Sequence, residues 1–170
     1  MSSSQTSKSN ELGVYIVISS LVMLFSSLGL ALLLVRDRFS VWPPLGSPEP
    51  HVLFGHLQSI AWLALSGLAF FLTSKKQAKP YFTFFTLLIL VLQGSFFYSN
   101  IVTHFNFNQN IFTSFFYSLT TVHTLFSWLI LGTLLYTLHN KEFRFFKTVS
   151  KLIHFLSLFW LFYFYSLTIY

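Results

Sequence analysis

The stretch GVYIVISSLVMLFSSLGLALLLV, Gly13 to Val35, decides the fold. It carries no charge, its only clearly polar side chains are paired serines, and its length matches the about 20 apolar residues that an α-helix needs to cross a bilayer core. A run of this length without polar alternation reads as a helix, not as a barrel strand. Four further segments meet the same requirement, roughly 52–73, 81–103, 111–138 and 152–170. We therefore expect an all-α integral membrane protein with a single five-transmembrane-helix domain over 13–170. A polar tail over 1–12 is expected to be disordered. The start MSSSQTSKSNELG runs straight into the first apolar segment, without the short apolar region and small-residue cleavage site of a secretory signal, so that segment is expected to be retained.

Composition supports this class. Hydrophobic residues make up 54% and charged residues 8% of the chain, whereas soluble globular proteins carry about 25% charged residues. Cysteine is absent, which excludes disulfides, thiolate metal sites and iron-sulfur clusters. The formal charge of +6 is explained by topology rather than by nucleic-acid binding. Lys8, Lys75, Lys76, Lys79, Lys141, Arg144, Lys147 and Lys151 fall on the side of the amino terminus, and only Arg36 and Arg38 on the other. This positive-inside bias predicts an amino terminus inside and a carboxyl terminus outside, in the bacterial cytoplasmic membrane or, alternatively, the mitochondrial inner membrane.

The one loop with distinctive punctuation is RDRFSVWPPLGSPEP, Arg36 to Pro50, which contains four of the five prolines. Proline fixes φ and removes a donor, so a rigid, extended or turned segment is expected at the outer surface, with Trp42 as an interfacial anchor.

Chemistry has few carriers here. Glu11, Asp37, Glu49 and Glu142 are the only carboxylates and all lie outside the spans, which argues against a proton-coupled machine or cation transporter. Six histidines remain, of which His123 alone is central in its span. The reading favoured for it is a neutral imidazole bonded across helices. Haem ligation needs opposed imidazoles at one depth. At 1.5 Å per residue His123 lies about 18 Å from the outer end of its helix, whereas His154 is expected only a few ångströms from the inner end of its own. A zinc or copper site at the outer surface built from His51, His56 and His104 is the alternative. Ser19, Ser20, Ser26, Ser27, Thr120 and Thr121 are expected to let helices approach closely. Tyr163, Tyr165 and Tyr170 are expected in an interfacial belt.

The motifs, taken in order, resemble subunit III of the haem-copper oxidases, the cytochrome c oxidase polypeptide III family. Trp42, Pro43 and Pro44 match its Trp-Pro-Pro loop and follow Ser20, Leu21, Val22 and Met23, where the family has a Ser-Glu-Val-Met-like run. Ser66 and Gly67 correspond to its Ser-Gly motif, Phe116, Thr120 and His123 to its penultimate helix, and Ile153, His154, Phe155, Ser157, Trp160 and Phe162 to its last. The resemblance spans the chain and implies the short, five-helix form. Departures fall on the titratable positions. Leu21, Phe96 (after Gln93) and Ser157 replace family carboxylates, Phe126 the second histidine, and Thr121 and Thr124 its glycines.

What the resemblance implies is a non-catalytic accessory subunit of an oxidoreductase complex in a respiratory electron-transport chain. It would pack against oxidase subunits I and II, retain phospholipid, and bind no haem or copper itself, those cofactors belonging to its partners. Trp42, Pro43, Pro44, Ser66, Gly67, Gln93, Phe116, Thr120, His123, His154 and Trp160 would be structural or lipid-cleft residues. Lys75, Lys76, Lys79, Arg144 and Lys151 would contact lipid phosphates. The alternatives are the subunit III-like protein of a nitric oxide reductase and a small membrane haem or metal protein. A transporter is disfavoured by the lack of broken helices and inverted repeats.

Overall fold

The computed structural model describes residues 3–47, 49–50, 52–72, 79–102, 110–139 and 143–168. Five helices follow one another: α1 (Ser3–Arg36), α2 (Leu53–Leu72), α3 (Lys79–Val102), α4 (Ile111–His139) and α5 (Phe143–Thr168). Each contains a segment long and apolar enough to cross a membrane. No strand occurs among the described residues.

Two helices are longer than hydropathy indicates. α1 begins at Ser3, so helix replaces the tail expected over residues 3–12. α5 begins at Phe143 rather than near Leu152. Its first turns alternate aromatic and basic residues, which lowers their mean hydropathy, yet Phe146 and Val149 share one face and are buried. The Phe146 ring meets that of Phe82 edge-on, with centroids 4.9 Å apart.

Helices α2, α3, α4 and α5 close into a ring in which each packs on the next and α5 packs back on α2. On α3 the buried residues are Phe82, Thr86, Ile89, Gln93, Phe96 and Asn100. Their alternating spacing of four and three is that of helices packed nearly antiparallel, as in a four-helix bundle. α4 starts with a reciprocal cap: Thr113 N donates to Asn110 Oδ1 (2.9 Å) and Asn110 N to Thr113 Oγ1 (3.1 Å).

α1 stands outside the ring and packs mainly on α5, running parallel to it. Its fastenings are spread along the pair. Lys151 Nζ donates to the Tyr15 hydroxyl (2.8 Å) and the Tyr163 hydroxyl to the carbonyl of Phe25, while Arg36 donates to Ser166 O (3.2 Å).

The Arg36–Pro50 connection is a succession of turns. Arg38 N donates to Val35 O and Ser47 N to Pro44 O, and Gly46 takes a positive φ of 81° that a side chain would disfavour. Asn110 Nδ2 ties this loop to the start of α4 through Ser47 Oγ at 2.9 Å. Trp42 is not a surface anchor. It is buried, with its ring 5.5 Å from Phe112 and 6.1 Å from Phe39, because the turns fold it back onto α4.

Candidate functional site: the histidine and tryptophan core

His123 is the centre of the bundle. It is 2% exposed and its ring lies between those of Trp160, at 4.8 Å, and Trp62, at 5.6 Å. Nε2 is 3.2 Å from the carbonyl oxygen of Leu156. A carbonyl only accepts, so Nε2 carries the hydrogen of this α4–α5 bond. Ser127 Oγ lies 3.4 Å from Nδ1 and donates to the His123 carbonyl at 2.7 Å. The second tryptophan continues the network, since Trp160 Nε1 donates to Ser59 Oγ (2.9 Å), joining α5 to α2.

His154 belongs to a separate arrangement. Its Nδ1 is 2.6 Å from Ser66 Oγ on α2 and its Nε2 is 3.4 Å from Ser150 Oγ. The depth argument that kept His123 and His154 apart needs correction. Because α5 starts at Phe143, His154 lies well inside its helix, and His123 bonds a carbonyl only two residues beyond it. Direction separates them instead. His154 faces Ser66, while His123 faces the two tryptophans. The cavity beside His123 and Trp160 measures about 10 Å³, room for no more than a single water.

Other expected residues are distributed as follows. Phe116 is buried against Phe96 and Phe112, with ring centroids at 5.6 and 6.3 Å. Thr120 is buried and donates to Phe116 O (2.7 Å) within its own helix. Gln93 is buried in α3, and neither of its amide heteroatoms has a hydrogen-bond partner among the described residues. Pro43 and Pro44 are half-buried in the loop. Gly67 is no close-approach site, since a Cβ there would meet nothing within 4 Å.

The serines of α1 do not mediate packing. Ser19, Ser20, Ser26 and Ser27 are exposed, and Ser20 and Ser27 bond the carbonyls of Ile16 and Met23 in their own helix. Close approach occurs at Gly55, where a Cβ would lie 2.2 Å from Phe164 Cε2, and at Gly29, 3.1 Å from the Tyr163 hydroxyl. Thr121 is likewise exposed. Tyr163 is buried between α1 and α5 rather than in a belt, and Tyr165 packs toward His56 with centroids 5.8 Å apart. Tyr170 lies outside the described residues.

Of the outer histidines, His56 meets Phe164 edge-on at 5.1 Å, while His51 and His104 lie outside the described residues. No group of three His, Cys, Asp or Glu able to hold a metal occurs among the described residues. Among the basic residues, Lys151 is engaged with Tyr15, both through its hydroxyl and at 4.6 Å over its ring. Lys79 and Arg144 sit in the first turns of α3 and α5. Lys75 and Lys76 lie outside the described residues.

An open groove between α1 and α4 was not foreseen from sequence. Leu24, Val122, Leu125, Phe126, Trp128 and Leu129 line it, and it encloses about 550 Å³. Phe126 points toward α1, its ring 6.2 Å from that of Phe25. Only the pairing of α1 with α5 creates this groove, so no local motif signals it.

The chain has no match among protein families, curated proteins or solved structures.

Proposed function

We propose that this chain is a non-catalytic, phospholipid-binding accessory subunit of the subunit III type, working in a haem-copper oxidase or a related respiratory complex of a bacterial inner membrane. Its amino terminus lies inside and its carboxyl terminus outside. The observation that carries the reading is the employment of the interior histidines. His123 and His154 both join helices, to Leu156 O and Ser66 Oγ, and the cavity beside His123 measures only about 10 Å³. Residues engaged in this way brace a bundle.

Two further features support it. The positions where the resembled family carries carboxylates, Leu21, Phe96 and Ser157, are all buried, so neutral side chains there remove a desolvation cost that a structural subunit has no need to bear. The largely apolar groove between α1 and α4, lined in part by the exposed Leu24, Leu125, Trp128 and Leu129, suits an acyl chain. Haem and copper would belong to the catalytic partner.

Purification of the intact complex in a mild detergent tests the proposal. Oxidase subunits I and II are expected to accompany the chain, with phospholipid retained and no Soret absorbance from the isolated polypeptide. A nitric oxide reductase catalytic subunit in their place would assign the chain to that complex instead. A haem signal from the chain alone, lost in His123→Ala, would overturn the accessory role.

A further inference from the structure

The interior holds a set of polar side chains that no helix contact satisfies. Gln58 and Gln93 are 0% and 1% exposed, and all four of their amide heteroatoms lack a hydrogen-bond partner among the described residues. The two residues lie on the neighbouring helices α2 and α3. Their relative level follows from contacts through α5. Phe96, three residues after Gln93, meets Trp160 at 5.8 Å and Phe164 at 6.2 Å, and these two pack on Ser59 and Gly55, which flank Gln58, so the glutamines lie within about one helical turn of each other.

One helical turn along α2 is Trp62, whose Nε1 is buried and also without a partner. Facing it on α5 is Ser157, whose Oγ is in the same condition. Their register follows from two cross-links. Ser59 bonds Trp160 and Ser66 bonds His154, and the antiparallel count between these pairs brings Trp62 opposite Ser157.

We propose that Gln58, Gln93, Trp62 and Ser157 form a buried binding site for water inside the membrane domain. A polar group left unpaired in a bilayer-embedded core is strongly disfavoured, because no water or lipid tail there can replace the lost hydrogen bond. Four such side chains, on three helices packed against one another and within about one turn of level, favour a shared polar occupant. The chemistry selects it. The carboxamides offer donors and acceptors, the indole a donor and the serine both. None is charged, and the carboxylates of the chain all lie outside the spans, so a cation finds no counter-charge. The basic residues lie at span ends or in connections, which leaves an anion equally unserved. A direct bond between the two glutamine amides would use one N–H and one C=O and leave the indole and the hydroxyl unpaired. Water donates twice and accepts twice and can bridge all four.

The test uses the full isotope-labelled chain in phospholipid bilayers, with solid-state NMR transfer of magnetisation from water. Transfer is expected to Nε2 of both glutamines and to Nε1 of Trp62. In the double variant Gln58→Leu, Gln93→Leu, which conserves approximate side-chain size, transfer to Trp62 Nε1 should fall at least several-fold. Glutamine side-chain protons that contact only each other, with no transfer from water, would overturn the proposal. So would full transfer to Trp62 in the double variant. If that variant does not reconstitute, the wild-type spectrum decides: transfer to both amides supports the site, and its absence sinks it.

Discussion

The imidazole of His123 joins α4 to α5 through a single acceptor, the carbonyl of Leu156, and fills the space between two indoles. Replacing it by alanine removes this interhelical bond, while the Leu156 carbonyl keeps its own helix amide, and opens a gap between the rings. The expected loss is about 1 kcal/mol for the bond, with a further share for the cavity. A lowered midpoint of thermal unfolding in detergent would register it, and under the accessory role proposed above the haem spectrum of the partner subunits should stay unchanged. Gly55 gives a sharper contrast. A methyl there would meet Phe164 Cε2 at 2.2 Å, whereas one at Gly94 meets nothing within 4 Å. Gly55→Ala is therefore expected to destabilise by about 1–3 kcal/mol through overpacking. Gly94→Ala should be neutral or slightly stabilising, since alanine lowers the entropy of the unfolded chain; equal effects in the same unfolding assay would contradict the α2–α5 geometry. An interhelical bond for His123 was legible in the sequence because no carboxylate accompanies it in the spans. The role of Gly55 was not, because it depends on a register between helices far apart in the chain.

Among the elements, α1 is the least integrated. It touches the ring mainly through α5, and the bonds from Lys151 to Tyr15 and from Tyr163 to Phe25 hold the two together at separate levels. Removing both donors, with Lys151→Met and Tyr163→Phe, should loosen α1 while leaving the ring closed. Backbone amide exchange over Tyr15–Arg36 would then quicken at least several-fold, with protection in α2 to α5 retained. Uniform loosening of all five helices would show that α1 is part of the ring's own stability. The existence and approximate middle of every helix were legible from apolar run length alone. Where two of them begin was not. α5 starts at Phe143 because Phe146 and Val149 share a buried face, a pattern that averaging with Arg144, Lys147 and Lys151 conceals. Trp42 escaped for a related reason. A tryptophan in a proline-rich loop looks the same in sequence whether it faces lipid headgroups or folds back onto Phe112.

At the scale of the whole molecule, the asymmetry of charge makes a claim about orientation that helix packing alone does not. Five spans put the two ends of the helical domain on opposite faces of the membrane, and the fold is compatible with either sense. Basic side chains resist translocation, so the face carrying Lys75, Lys76, Lys79, Lys141, Arg144, Lys147 and Lys151 is predicted to stay inside, and the Arg36–Pro50 loop to lie outside. The absence of cysteine makes this directly measurable, because any introduced thiol is the only one. Ser40→Cys, an exposed position in the loop after α1, should react with a membrane-impermeant maleimide in intact cells. Lys76→Cys, in the connection between α2 and α3, should react only after the membrane is opened. The opposite pattern would reverse the topology and overturn the orientation proposed. Labelling of both positions in intact cells would mean that the chain inserts in two senses. In that case the two basic residues Arg36 and Arg38 weigh more than their number suggests, and substituting both by glutamine should restore a single orientation.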